Sequence, residues 1–254
     1  MTRIMISCGE PSGDLYAAAL TTELRRLDDN LEVFGIGGEQ LKAAGAQMLG
    51  DFRGLSVTGL SEALSVLPRS FSMYRRLLAA ARAHLPDVFV PIDFPDFNLR
   101  LSNAIHRLGV PVAYYVGPQV WAWRPSRLRT LRRLAHRMFV IFPFEEDIYR
   151  RAGVPVEFVG HPLIDLAKAR ESRNSFLSRR GLDAASPTVA LLPGSRPNEL
   201  KLILPVLVRA ASMIATRVPA VQFVVARAPH LDTSLFEPLG EVVGSGGRAP
   251  VIVE

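Results

Sequence analysis

A proline-flanked aspartate at the end of a short apolar run is the residue of this chain best placed for chemistry. The run from Val88 to Ile92 shows no polar alternation, which predicts a strand buried on both faces, and the prolines on either side of Asp93 end its hydrogen-bonded ladder. Ligands of open α/β sheets bind outside the carboxyl ends of the strands, so Asp93 is placed for chemistry rather than for packing. Helix capping by Asp96 or Asp93, with Asn98 nearby, is the alternative, and it is stronger for Asp96.

A glycine-containing turn joins the first predicted strand, Arg3 to Cys8, to a predicted helix from about Leu15 to Leu27. Such a turn lets the backbone approach a phosphate or a sugar, and the helix N-terminus adds free N–H groups. The turn matches neither G-x-G-x-x-G nor the Walker pattern, so a dinucleotide or ATP site is not predicted. An ordinary turn in which Ser12 caps the helix is the alternative. The candidate binding residues of this turn are Gly9, Glu10, Ser12, Gly13 and Asp14.

A second such turn follows the predicted strand from Thr188 to Leu192. Its residues Gly194, Ser195 and Arg196 precede a long predicted helix, whose first turn suits Pro197. Backbone donors, the helix dipole and a guanidinium would together stabilise a phosphate there. The alternative is that Ser195 caps the helix and Arg196 pairs with a glutamate three residues later.

Aromatic and basic residues mark a third region. Trp121 and Trp123 follow the predicted strand Val112 to Val116, and such a pair can form a platform for a sugar or an acyl chain, although packing under the loop explains one of them. Arginines crowd the segment from Arg124 to Arg137, which predicts a basic helix. A second basic pattern, apolar on one face and broken at Pro68, covers residues 56–85. In the simplest interpretation, the first of these helices has a solvated basic face and the second packs on the core. In the alternative interpretation, they lie on a membrane surface.

Composition limits the classes of function. The chain has 254 residues, 48% of them hydrophobic, and a net charge of +6 that favours anionic partners. The single Cys8 excludes a disulfide framework and a cysteine-based zinc site, and the scattered histidines predict no metal site. Few aromatics lie among the arginines, which disfavours nucleic acid. No apolar run approaches the ~20 residues of a membrane span, and no leader is apparent, so we expect a cytoplasmic protein.

Short apolar strands alternate with helices through residue 162, which predicts a doubly wound α/β domain of the Rossmann type. We assign residues 1–166 to this domain and the polar stretch 167–186 to a linker. Residues 187–254 then begin a second α/β domain, with three predicted strands and two predicted helices.

Taken together, the motifs of the chain resemble those of the lipid-A-disaccharide synthase family. The segments that carry the resemblance are Gly9-Glu10-x-Ser12-Gly13-Asp14, Ile92-Asp93-x-Pro95-Asp96-Phe97-Asn98, Tyr115-Val116-x-Pro118-x-Val120-Trp121-Ala122-Trp123-Arg124, Phe158-x-Gly160-His161-Pro162 and Leu191-Leu192-Pro193-Gly194-Ser195-Arg196. The resemblance implies an inverting glycosyltransferase with two Rossmann-like domains facing across a cleft, the GT-B arrangement, and no cofactor.

The same resemblance implies roles for individual residues. Asp93 matches the family's essential acid, and a general base is the role that fits it. Arg196, with Gly194 and Ser195, would stabilise the departing UDP without a metal. The first turn would line the cleft from the acceptor domain. The remaining residues implied in substrate binding are Asp96, Asn98, Trp121, Trp123, Arg124 and His161.

The implied partners are a UDP-linked acylated glucosamine donor and an acylated glucosamine 1-phosphate acceptor. An anionic membrane surface on the inner face of the cell membrane is a third implied partner, and a homodimer is left open. The family's chain continues past residue 254 with a further UDP-binding segment, so we expect the second domain to be incomplete here. Two alternatives stay open: a non-catalytic module that binds anionic lipid, and another UDP-sugar enzyme such as an epimerase.

Overall fold

Parallel strands flanked by helices build the whole of the described chain. The computed structural model describes residues 1–53, 60–122, 124–229, 231–242 and 247–253. The chain divides into two units, Met1–Ala167 and Lys168–Glu254, and each contains its own parallel sheet.

The first unit alternates strands and helices along the chain. Its strands are β1 (Arg3–Cys8), β2 (Glu32–Gly37), β3 (Gln47–Asp51), β4 (Val88–Ile92), β5 (Ala113–Tyr115), β6 (Arg137–Val140) and β7 (Val156–Phe158). Its helices are α1 (Pro11–Leu27), α2 (Glu39–Ala43), α3 (Leu60–Ala83), α4 (Pro95–His106), α5 (Arg127–Leu134), α6 (Pro143–Arg151) and α7 (Leu163–Leu166).

The strand order of the first sheet contains a reversal at its centre. The order is β3-β2-β1-β4-β5-β6-β7, and neighbouring strands are parallel. From β1 the chain proceeds towards one edge, and from β4 it proceeds towards the other. Because the helices that follow β1 and β4 diverge there, a crevice forms at the carboxyl ends of these two strands. The register pairs Cys8 with Ile92, so both strands end at the same level.

Both faces of this sheet are buried, which explains the unalternated apolar strands. On one face Met5 and Phe89 pack with Leu77 of α3 and Leu101 of α4. On the other face Ile6 and its neighbours pack against α1 and α2. The α/β prediction is therefore confirmed, and the core of the first unit lies on both sides of β1 and β4.

The second unit is a smaller layer of the same kind. Its elements are α8 (Arg173–Arg179), β8 (Thr188–Leu191), α9 (Pro197–Arg217), β9 (Gln222–Ala226), a 3₁₀ helix (Thr233–Glu241) and β10 (Val251–Val253). The parallel order is β10-β9-β8, and Leu200, Leu204 and Phe223 contribute to the core. The segment 167–186, predicted as a linker, contains α8, whose Leu177 packs on Val224.

Three local features differ from the sequence predictions. Helix α3 runs through Pro68 instead of breaking there, because a proline removes only one hydrogen bond and packing at Leu77 and Ala81 holds the later turns. The basic helix α5 is shorter than predicted: Arg124 precedes it, and Arg137 already opens β6. Strand β3 was not predicted, since its short sequence is only partly buried at a sheet edge.

Candidate active site

Two of the segments predicted for chemistry in the first unit, the turn after β1 and the residue after β4, lie at the central crevice. Gly9 follows β1 directly and Asp93 follows β4 directly, and these strands are neighbours. The carboxylate of Asp93 and the turn that opens α1 therefore lie on the two sides of the reversal in strand order. This is the position at which open α/β sheets bind ligands.

Backbone strain is concentrated at the same place. Among the residues that the structure describes, the non-glycine residues with positive φ are Asp93 (45°), Phe94 (50°), Val116 (55°) and Arg124 (55°). All four follow the carboxyl ends of β4 and β5. A left-handed conformation costs roughly 1–2 kcal/mol per residue and is rare for a β-branched residue such as Val116. Strain of this kind clusters at functional sites.

A buried polar network holds the strained segment. The Asn98 amide donates to the carbonyl oxygens of Asp93 (2.8 Å), Ser7 (3.1 Å) and Ile92 (3.3 Å), and its oxygen accepts from the Ser7 hydroxyl at 2.6 Å. The Tyr114 hydroxyl also donates to the Asp93 carbonyl, at 2.9 Å. Asn98 is fully buried and its amide is hydrogen-bonded to backbone carbonyls, and substrate binding by Asn98 stays a prediction.

Sequence reasoning missed two members of this network. Ser7 and Tyr114 lie in the strands β1 and β5, inside sequences whose apolar character predicts a buried strand and no polar role. Both are fully buried. A hydroxyl inside a buried strand needs a hydrogen-bond partner, and this requirement is the signal by which the sequence could have indicated the network.

The first turn is shaped by close packing. A Cβ added at Gly9 would lie 2.2 Å from the ring of Phe94, and one at Gly13 would lie 3.0 Å from the Cβ of Cys8. Glycine at residue 9 therefore allows the strained segment after β4 to pack directly on the turn after β1. Helix α1 begins at Pro11 with Glu10 at its N-cap, so Ser12 lies inside the first turn instead of capping it.

Asp14 has a structural role. It is 4% exposed, and its carboxylate accepts backbone N–H donors from Gly38 (2.7 Å), Gln40 (3.0 Å) and Leu41 (3.1 Å). These donors belong to the start of α2, which Asp14 caps from a distant position in the sequence. Both of its oxygens accept hydrogen bonds from the start of α2, and substrate binding by Asp14 stays a prediction.

Asp96 does not cap α4. Among the described residues, Phe94 occupies the N-cap, and the exposed carboxylate of Asp96 pairs with Arg124 at 3.0 Å and with Arg127. These ion pairs join α4 to the loop after β5 and to α5. Arg124, Arg127 and Asp96 together carry one net positive charge beside the start of α4, a group that can contribute to binding an anion.

Aromatic rings form a continuous series along the carboxyl ends of the strands. Trp121 meets Phe144 edge to face at 5.2 Å between centroids, Phe144 stacks on Phe142 at 5.6 Å, and Phe142 meets His161 at 5.6 Å. His161 in turn meets the edge of Tyr16 at 6.3 Å. Trp121 and Phe144 remain about half exposed, at 44% and 48%. The series therefore offers apolar surface to a ligand at one end.

The indole of Trp121 is fixed by a residue that sequence reasoning did not single out. Its N–H donates to the buried carboxylate of Glu145 at 3.2 Å, and Glu145 also accepts from the backbone N–H of Phe142. The ring is thus oriented before any ligand arrives. Trp123, the other predicted platform residue, lies outside the described residues.

Two tyrosines near Asp93 stay neutral at physiological pH. Burial, together with the negative charge of Asp93, raises the pKa of Tyr16 and raises that of Tyr114 well above its usual value. Their hydroxyls are therefore hydrogen-bond donors. Burial also raises the pKa of the Cys8 thiol far above its usual value, which makes this cysteine an inert core residue.

The turn of the second unit is occupied by a side chain of its own helix. The carboxylate of Glu199 accepts from the backbone N–H groups of Ser195 (2.9 Å) and Arg196 (3.1 Å) and pairs with the Arg196 guanidinium at 3.2 Å. The pairing of Arg196 with this glutamate agrees with the alternative noted above. These hydrogen bonds, led by that from Ser195, lower the pKa of Glu199. The carboxylate of Glu199 therefore occupies the position that the sequence predicts for a phosphate.

The described residues form neither a bilayer-spanning helix nor a metal-binding cluster. None of the helices in that part of the chain combines the length and the apolar character that crossing a bilayer requires. No group of three or more histidine, cysteine, aspartate or glutamate side chains is arranged there to hold a metal ion.

Comparisons with known proteins agree on one family. A model of the lipid-A-disaccharide synthetase family matches residues 4–241. Lipid-A-disaccharide synthase of Myxococcus xanthus is 45% identical over 99% of this chain and 67% of its own length. The synthase of Koribacter versatilis is 46% identical over 91% of this chain and 60% of its own length. The chain thus spans about two thirds of the length of these relatives.

Several solved structures share the fold of this chain. The S. aureus MnaA–UDP structure superposes with a TM-score of 0.66 at 14% identity, covering 100% of this chain and 68% of that one. UDP-GlcNAc 2-epimerase from Neisseria meningitidis gives 0.62 at 12% identity, covering 100% and 72%. A calicheamicin glycosyltransferase gives 0.58 at 16% identity, covering 100% and 70%. These likenesses establish the fold.

Proposed function

The chain belongs to the lipid-A-disaccharide synthetase family, and we propose that it provides the acceptor side and the catalytic base of an inverting glycosyltransferase. The reaction joins UDP-2,3-diacylglucosamine to 2,3-diacylglucosamine 1-phosphate. Its products are the β-1,6-linked disaccharide 1-phosphate of lipid A and UDP. The observation that carries the proposal is the strained Asp93 at the reversal of strand order.

Asp93 acts as the general base. Its carboxylate takes the proton of the acceptor 6-hydroxyl while that oxygen forms a bond to the anomeric carbon of the donor. The bond from the anomeric carbon to UDP breaks on the opposite face, and its electron pair leaves with the phosphate, which inverts the configuration. A positioned base contributes about 100- to 10,000-fold, so binding and charge stabilisation supply the rest of the rate.

Donor phosphate binds at the turn before α9. The backbone N–H groups of Ser195 and Arg196 and the adjacent guanidinium are the donors for the departing charge, as in other metal-free phosphate sites at helix N-termini. Since Glu199 holds these same donors, its carboxylate turns away when the diphosphate binds. The exchange of one anion for another keeps the donors satisfied in both states.

Apolar and cationic surface accommodates the lipid part of the substrates. The exposed rings of Trp121 and Phe144 contact acyl chains at the edge of the crevice. Helices α3, α4 and α5 are neighbours on one side of the sheet and carry exposed arginines towards anionic head groups of the inner membrane face. These arginines are Arg69, Arg75, Arg76, Arg82, Arg100, Arg107, Arg129, Arg132 and Arg133.

A transfer assay with the two acylated sugars tests the reaction. We expect Asp93→Asn to lower kcat at least 100-fold with a small change in KM. Asp87→Asn is the matched control: this aspartate precedes the other end of β4 and accepts the backbone N–H of Arg3, so its replacement should leave kcat unchanged. Equal turnover of the wild type and Asp93→Asn would remove Asp93 from the mechanism.

The same assay with UDP-GlcNAc, which lacks the ester-linked acyl chain, separates this proposal from an epimerase. Conversion of that sugar to its 2-epimer, without transfer of the acylated donor, would refute the glycosyltransferase assignment. If neither activity appears but the chain still sediments with anionic vesicles, the lipid-binding alternative is the correct one.

Sedimentation with vesicles of phosphatidylglycerol and phosphatidylcholine tests the membrane surface. Replacing Arg129, Arg132 and Arg133 by serine removes three charges near the bilayer, each worth about 1 kcal/mol, so binding should fall by a factor of about 100 at low salt. The charge-matched control replaces exposed arginines of the second unit, Arg170, Arg209 and Arg217. Equal loss of binding in both variants would show that net charge alone, and not this face, is responsible.

A further inference from the structure

The buried amide of Asn98 connects three elements at a single point. Asn98 lies in the first turn of α4 and reaches the carbonyl oxygens of Ser7 in β1, of Ile92 at the end of β4 and of Asp93 directly after it. Its own oxygen accepts the Ser7 hydroxyl. Both ends of this side chain are therefore used, in a place that water does not reach.

These contacts hold a backbone segment in the left-handed conformation, which is unfavourable for residues other than glycine. Asp93 and Phe94 are both left-handed, with φ of 45° and 50°, and the segment turns its carbonyl groups away from the parallel ladder. A carbonyl removed from a ladder and buried needs another donor. Asn98 and Tyr114 supply two donors to the Asp93 carbonyl, at 2.8 Å and 2.9 Å.

The other side of the Asp93 peptide is held as well. Its N–H donates to the carbonyl oxygen of Val116 at 3.1 Å, and Val116 is itself left-handed. The backbone of Asp93 is thus fixed before and after its Cα, by partners on α4, on β5 and directly after β5. Fixing φ and ψ fixes the direction of the Cα–Cβ bond, and with it the region that the carboxylate can reach.

We infer that Asn98 and Tyr114 are positioning residues, which hold Asp93 in its left-handed conformation and thereby aim its carboxylate into the crevice. The inference rests on the proposed function only in taking Asp93 as the base; the conformational part stands without it. Neither side chain contacts the acceptor. Both act through the carbonyl of residue 93, so their loss changes the geometry of proton transfer more than substrate affinity.

The variants Asn98→Ala and Tyr114→Phe test this inference. We expect Asn98→Ala to lower kcat about 10- to 100-fold and Tyr114→Phe about 3- to 10-fold, each with KM within about twofold of the wild type, because misplacement of a catalytic group by about 1 Å costs up to about 100-fold. Asn103→Ala is the matched control, an asparagine on the same helix that accepts from Arg133 at the surface, and it should leave both constants unchanged.

The ¹³C chemical shifts of the Asp93 Cα and carbonyl, measured without substrate, report its backbone conformation directly. We expect both positioning variants to move these shifts towards right-handed or extended values, and the control to leave them in place. If the wild type shows no transfer activity, the proposed function fails, yet these shifts still decide the inference. If Asn98→Ala does not fold, Tyr114→Phe decides by the same criteria. Folded variants with unchanged shifts and unchanged kcat would overturn it.

Discussion

Replacing Asp14 with alanine should destabilise the first unit severely, although this residue lies in a turn predicted to bind substrate. The change leaves three backbone N–H groups without an acceptor. Those of Gly38 and Leu41 are buried, and that of Gln40 is partly buried. A buried donor left without an acceptor costs about 1–3 kcal/mol, so the two buried donors alone give a loss of about 2–6 kcal/mol. Losing the cap of α2 acts in the same direction.

Urea unfolding followed by tryptophan fluorescence measures the loss of stability of the first structural unit, Met1–Ala167. Both tryptophans of the chain, Trp121 and Trp123, belong to the first unit, so the signal reports its unfolding. Asp14→Asn keeps one acceptor oxygen and should fall between wild type and alanine. Asp28→Ala is the control: its partly exposed carboxylate accepts the N–H of Asn30 at 2.9 Å, and its loss should cost under about 1 kcal/mol.

Two outcomes would contradict the capping role of Asp14. If Asp14→Ala unfolds at the same urea concentration as Asp28→Ala, the three backbone contacts do not stabilise α2. If stability is unchanged while KM for an acylated substrate rises, Asp14 faces the ligand and the cap assignment is wrong.

Glu199, Gly9 and Cys8 each give a further testable prediction. The ionised carboxylate of Glu199 is a stronger acceptor than the protonated acid, and its pKa is lowered. The contact with Ser195 is therefore at full strength above the ordinary glutamate range and weakens as the pH falls through the lowered pKa, so the amide proton shift of Ser195 should titrate there. Gly9→Ala places a methyl group against the ring of Phe94 and should lower transfer activity at least tenfold. Cys8 should not react with a thiol reagent until the protein is unfolded in urea.

Each of these has its own control. Glu199→Gln should abolish the pH dependence of the Ser195 amide, and a titration that persists would assign it to another group. Gly240→Ala adds a methyl group with nothing within 4 Å, so it should leave transfer activity unchanged. Equal loss of activity in both glycine variants would show that the contact with Phe94 is not the cause. Rapid labelling of Cys8 in the native protein would show that β1 opens readily.

The sequence predicted the strands and their ends better than the partners of individual side chains. Asp93 was placed at a strand tip because apolar runs and prolines are local signals, and the structure puts it directly after β4. Strand order is not a local signal, so the neighbouring position of Gly9 could be expected only through the resemblance to a known family. The reversal between β1 and β4 explains why these distant segments share one crevice.

The roles of Asp14, Asp96 and Asn98 illustrate what sequence could not give. All three lie in motifs that resemble substrate-binding segments, yet Asp14 caps a helix 24 residues away and Asn98 reaches a strand 91 residues away. Asp96 stands in the first turn of α4, where capping is common, but two arginines from other elements bind it instead. In each case a partner brought close by the fold outweighs the preference of the local sequence.

The hydrogen bond between Ser7 and Asn98 also has a consequence for the order of folding. It joins residues 91 positions apart, whereas β1 and β2 pair across a much shorter segment, with Ile4 opposite Val33. Closing the longer loop costs more chain entropy, so the pairing of β1 with β2 can precede the docking of β4 and α4. We therefore expect the crevice to be among the last parts of the first unit to form, and a nascent chain that has not yet exposed residue 98 to have no crevice at all.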